Sequence, residues 1–200
     1  MKKYFLILAV AMLTLSACGK KKVTQTVTPT PAPRTIELAE ADRPNIALFP
    51  RNDGHELTLI ISSITEQIQG MEYELTYTAT DGNIQIEKGA GGVIENSDLQ
   101  SGKVERKILL GTESCTNGCK YKYDTGVNGG NLSLVLTTKE NQVATFETPF
   151  ILKSNADIKK SGNQIAWPEE NFSQKPSKNS PFYVVHRDYK SAEFVVNPAL

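Results

Sequence analysis

The first residues of this 200-residue chain that could do chemistry are its two histidines. Each has an aspartate two positions away, giving Asp53 with His55 and His186 with Asp188. Brought together, the four could hold a metal or share a proton as an acid/base cluster. The simpler expectation keeps them apart: His55 starts a strand after the turn Asn52-Asp53-Gly54, and His186 sits in a hairpin loop. Tyr121, Tyr123 and the single tryptophan, Trp167, are candidates for stacking on a sugar or an aromatic ligand. Alternating tyrosines on a strand more often pack against neighbouring strands, so this ligand surface is the lesser expectation. Gly89-Ala-Gly-Gly92 lacks the Lys-Ser/Thr that completes a phosphate-binding loop and reads as a flexible loop or bulge. Asp81 and Asn83 could ligate calcium, but turn chemistry already accounts for them. No Gly-x-Ser-x-Gly, His-Glu-x-x-His or calcium-loop pattern occurs, and among 22 acidic residues spacing alone identifies no catalytic pair. The expectation is a non-enzymatic protein with no cofactor and no metal.

The three cysteines are more informative. Cys115-Thr-Asn-Gly-Cys119 has no second Cys or His pair at metal-ligand spacing to complete a site. Its spacing is longer than that of a Cys-x-x-Cys redox motif, and its flanks read as strand. Cys18 stands in a different setting. Lys2 and Lys3 precede an apolar run, Tyr4 to Leu15, of roughly twelve residues, which suits a secretory signal and is short of the about twenty needed to span a bilayer. The run ends in Leu15-Ser16-Ala17-Cys18, which resembles the lipobox of bacterial lipoproteins at all four positions. The resemblance implies a diacylglyceryl group on the Cys18 thiol, cleavage just before it, and commonly an acylated new amino terminus. It also implies a membrane partner reached through that lipid, on the extracytoplasmic face of the cell envelope. The alternative is an ordinary signal ending at Ala17 that leaves Cys18 as a free thiol. With Cys18 carrying lipid, Cys115 and Cys119 remain as an even pair in a compartment where disulfides persist. The Asn117-Gly118 turn lets their ends meet, so a disulfide is expected, contributing only about 2 kcal/mol of chain entropy for so short a loop.

Charge narrows the partners. The chain has 22 basic and 22 acidic residues. Removing Lys2 and Lys3 with the signal leaves 20 against 22; setting aside Lys20, Lys21 and Lys22 beside the anchor leaves 17 against 22, a net −5. An acidic body excludes nucleic acid as the expected partner. An envelope protein or a glycan remains open.

The elements that must position these residues are strands. Residues 1–17 read as the signal, and 18–35, rich in Thr and Pro, as an extended tether. From Ile36 the pattern turns to alternation. Leu57, Leu59 and Ile61 alternate with Thr58, Ile60 and Ser62, and Tyr73, Leu75, Tyr77 and Ala79 with Glu74, Thr76 and Thr78. Asp81-Gly82 predicts a hairpin. Arg106, in register with Val104, Ile108 and Leu110, is expected near an edge or paired with an acid. Asn128-Gly-Gly-Asn131 and Asn141-Gln142 read as turns around the strand of Leu132, Leu134 and Leu136. Seven or eight short strands over about 110 residues predict one all-β domain, an antiparallel β-sandwich over 36–153. The pattern resembles the fibronectin type III-like or immunoglobulin-like sandwiches of small bacterial lipoproteins. Residues 154–200 read as a polar segment, of which 154–180 are expected to be mostly loop. The segment ends in two short runs, Phe182-Tyr-Val-Val185 and Glu193-Phe-Val-Val196, expected to form a hairpin over a sandwich edge, with a poorly ordered end as the alternative.

Overall fold

The structure, a computed structural model, describes residues 32–200. The expected signal, Cys18 and nearly all of the tether lie outside these residues. At the end of the tether range, Arg34–Thr35 form a two-residue strand, β1, paired parallel with Gln142 and Val143. Beyond it the alternating segments become β2 (Asn45–Pro50), β3 (Glu56–Ser62), β4 (Ile68–Asp81), β5 (Ile84–Ile94) and β6 (Lys103–Leu109). Next come β7 (Gly111–Cys115), β8 (Cys119–Tyr123), β9 (Gly129–Thr138) and β10 (Gln142–Ser154), then β11 (Ile165–Trp167), β12 (Phe172–Gln174), β13 (Phe182–Arg187) and β14 (Phe194–Pro198). Two short helices, α1 (Asn96–Leu99) and α2 (Asn155–Lys160), interrupt them. Among the described residues no helix is long and apolar enough to cross a membrane.

The fold is an all-β sandwich. One sheet has the order β14-β13-β10-β9-β4-β5, with β1 beside β10; the other is β2-β3-β6. Period-two alternation explains the packing: Leu75 and Tyr77 of β4, and Leu132, Leu134 and Leu136 of β9, face Leu48, Leu57, Leu59 and Ile61 of the small sheet in one buried core. Arg106 lies on β6, an edge of the small sheet, and forms an ion pair with Asp98.

Two glycine tracts are strand rather than punctuation. Gly89-Ala-Gly-Gly92, expected as a loop, lies inside β5 opposite Tyr73 to Thr76. Asn128-Gly-Gly-Asn131, expected as a turn, opens β9, where Gly130 pairs with both Tyr77 and Phe150. There the backbones approach so closely that a Cβ on Gly130 would lie 1.9 Å from the Thr76 carbonyl oxygen. The residue is glycine for space, which sequence punctuation rules do not distinguish from a turn.

The chain also stays in the sandwich past Lys153. The hairpin of β13 and β14 forms and joins the main sheet through β10. β13 is buried on both faces, which accounts for its unbroken Phe-Tyr-Val-Val run. Val184 faces the main core. Tyr183 and Val185 face a second one, made with Ile158 of α2 and with Ile165 and Trp167 of β11. The segment expected as loop therefore forms a cap over the outer face of the sheet. It starts at Ser154, whose side chain accepts the Asp157 N–H at 3.1 Å.

His186 is in β13, fully buried, not in a hairpin loop. Its Nδ1–H donates to the Arg187 carbonyl at 2.9 Å. Its Nε2 accepts from the Leu48 N–H at 3.4 Å and from the Asn197 amide at 3.2 Å. Asn197 also donates to the Leu48 carbonyl, so the pair ties β14 and β13 of one sheet to β2 of the other. Burial pushes the His186 pKa down, against the opposing pull of the Arg187 carbonyl and Asp188. A proton on Nε2 would face two donors. The neutral ring is the folded form, and the unfolded chain takes up the proton first as pH falls. Stability should therefore decline as pH drops below the ordinary histidine value of about 6.5, in a window above the carboxylate range. Thermal unfolding across that window should show a falling midpoint for the parent and a flatter profile for His186→Gln. Parallel profiles would contradict the assignment.

Candidate functional site

The sequence between β6 and β9 folds outward. β7 and β8 pair only with each other, in a two-stranded sheet separate from the sandwich. Every residue of β8 and all of β7 except Gly111 are exposed. This arm turns at Asn117-Gly118, where Gly118 has φ +90°, and the turn brings the Cys115 and Cys119 sulfurs to bonding distance at the tip. Glu113 lies beside these sulfurs, and the three are the one group of metal-ligand types that clusters among the described residues. With its sulfurs paired, the group has no thiolate to offer a metal.

Tyr121 and Tyr123 are two residues apart on β8 and share a face. Their rings lie 6.2 Å apart and nearly parallel, at 13°. They are 52% and 37% exposed, against the expectation that they pack into the sheet. His55 stacks on Tyr123 with centroids 4.3 Å apart at 6°, and the Arg51 guanidinium sits 5.6 Å from the same ring. Arg51 is fixed by two bonds to Asp53, at 2.7 and 2.8 Å, which hold the Asp53 carboxyl down at about 2. Glu113, opposite Tyr121 in the β7–β8 register, pushes the Tyr121 hydroxyl up. The result is a row of the exposed Tyr121 and Tyr123 and the half-buried His55, flanked by Arg51 and Glu113. Such a row can stack on flat or apolar faces of a ligand and can donate and accept hydrogen bonds at its margin.

Trp167 does not join it. The indole is 7% exposed and packs 5.8 Å from Phe194 in the second core. Nor do the two His–Asp pairs converge. Asp53 holds Arg51, His55 stacks on Tyr123, Asp188 accepts from the Ser191 N–H and hydroxyl, and His186 is used up between the sheets.

The arm is held at its base by a residue that sequence reasoning passed over. Asp124, its side chain only 7% exposed, accepts from the Tyr77 hydroxyl at 2.8 Å and forms an ion pair with Lys88; its own N–H donates to the Leu110 carbonyl at 3.0 Å. Burial alone would raise the Asp124 pKa, but the bonds from Lys88 and Tyr77 outweigh it, and the carboxyl ends below its ordinary value. Tyr77 is pushed up by burial and by the same carboxylate. The available signal was slight: one acid closing a run of alternating lysines and tyrosines. No protein-family model, curated protein or solved structure matches this chain.

Proposed function

We propose that the protein is a lipid-anchored, non-enzymatic binding module of the cell envelope, tethered through Cys18 and making contact through the β7–β8 arm. The observation that carries the contact surface is the exposed pair Tyr121 and Tyr123 on an arm outside the sandwich, continued by the half-buried ring of His55 stacked on Tyr123. Exposed aromatic rings cost free energy in water and recover it when a partner covers them. The anchor reading is supported by the basic start, the apolar run and the four-residue match at Leu15-Ser16-Ala17-Cys18. Lipid on Cys18 and the Thr/Pro tether would present the arm outside the cytoplasm, where a Cys115–Cys119 disulfide persists.

A glycan is the second reading for the partner, favoured by the parallel, exposed tyrosines and weakened by burial of Trp167. A hydrolase is disfavoured, because the candidate acid/base residues have separate partners.

A co-sedimentation assay tests the contact surface, with isolated cell envelopes before and after protease treatment and the domain carrying Tyr121→Ala and Tyr123→Ala together. Retention should fall about tenfold or more if each ring contributes about 1 kcal/mol, with circular dichroism unchanged. Loss of binding to protease-treated envelopes identifies a protein partner, and retained binding a glycan. Equal retention of the double variant and the parent would remove the arm from the account.

A further inference from the structure

Strand β5 is a free edge. It pairs with β4 along all eleven residues, and among the described residues no strand or backbone donor meets its other side. Edges of that length are usually blunted by proline, a bulge or an outward lysine. β5 has no proline, and its register with β4 is continuous. Its one lysine, Lys88, is drawn to Asp124 under the sheet. Ile84 is 67% and Val93 64% exposed, the highest values among the large apolar side chains of the described residues, and they sit near the two ends of this strand.

The two-residue turn Gly82-Asn83 makes Asp81 and Ile84 the closing pair of the hairpin. Alternation then directs the N–H and C=O groups of Gln85, Glu87, Gly89, Gly91 and Val93 away from β4. We infer that this edge pairs antiparallel with β5 of a second copy, across a two-fold axis at Gly89, extending the main sheet through both molecules. Three features select a second copy over an unrelated strand. Gly89 is the midpoint of Ile84–Ile94, so the whole strand finds a partner in that register. Glu87, the one charged residue on the outer face of β5, meets Gly91 of the second copy and not a like charge. In that register Ile84 of each copy lies beside Ile94 of the other and Val93 beside Gln85, so both exposed apolar side chains gain a cross-strand neighbour in one step. The inference is independent of the arm and of the lipid.

Gly89→Cys tests it, in the full chain purified in detergent. A Cβ there has its nearest neighbours at 3.7 Å, so a side chain fits. Mild oxidation should give a covalent species of doubled mass from Gly89→Cys, and none from the parent or from Asn83→Cys, which lies at the exposed turn far from the axis. The parent should sediment as a dimer. Glu87→Pro, which removes an outward N–H, should sediment as a folded monomer by circular dichroism. A monomeric parent, a Gly89→Cys chain that does not cross-link to itself, one that cross-links in cells only to a different protein, or a folded Glu87→Pro variant that stays dimeric would each overturn the proposal.

Discussion

Cys18→Ser is expected to abolish fatty-acyl labelling of the protein and to eliminate the mature-length form that partitions into detergent. The effect should be total, because the anchor is all-or-none. Each buried methylene contributes about 0.8 kcal/mol, one chain holds a protein only marginally, and two or three chains on a single residue make release negligible. A serine hydroxyl cannot form the thioether that the lipobox resemblance implies. The fold should survive, since Pro33–Leu200 forms its own compact unit. Metabolic labelling with an alkyne fatty acid, followed by gel mobility and detergent partitioning, measures it. A Cys18→Ser variant of unchanged label, size and partitioning would remove the anchor.

Asp124→Ala should be the most destabilising single change at the arm. It leaves the Lys88 ammonium without its carboxylate, in a site where the two side chains are 29% and 7% exposed, and it strips the Tyr77 hydroxyl of its acceptor. Breaking one side of a buried, hydrogen-bonded pair costs about 3 kcal/mol, which for a domain of this size is a fall in Tm of about 10 °C. Asp124→Asn, which keeps a carbonyl for one of the two donors, should fall in between. Asp81→Ala, at an exposed turn, should be neutral. Limited proteolysis should then cut the arm between Gly111 and Thr125 faster in Asp124→Ala than in the parent. An unchanged Tm with an unchanged cleavage rate would show that the arm is held by something else.

The sandwich was legible wherever one face of a strand is wet. Leu57-Leu59-Ile61 and Tyr73-Leu75-Tyr77-Ala79 alternate because only one side is buried, and both became strands. Legibility failed where that condition does not hold. β13 is buried on both faces, so its run gave no period, and His186, one residue past it, read as loop. Gly89 to Gly92 and Gly129-Gly130 carry the same residue type that marks turns, yet Gly130 is there for close approach of backbones inside the sheet. The cap after Lys153 is polar in composition. Its apolar residues Ile158, Ile165 and Trp167 bury and Phe172 is half-buried, too sparsely spaced to signal an element, although Ser154-Asn-Ala-Asp157 carried a helix-start signature. The candidate site was legible in half. Tyr121 and Tyr123 were identified, but their exposure was not, because alternation says which residues share a face and not whether a second layer covers it. His55 and Arg51 reach the arm from a distant stretch of chain, and Asp124, next to β8, finds its partners Tyr77 and Lys88 across the fold; no local pattern announces such contacts.

The account rests above all on a lipid at Cys18, and mass spectrometry of the amino-terminal peptide of the mature protein, extracted from membranes, tests it most directly. The predicted result is a peptide beginning at Cys18 and carrying the mass of a diacylglyceryl group, with or without a further acyl chain. A mature chain beginning at an unmodified Cys18, or one that retains residues 1–17, would contradict it.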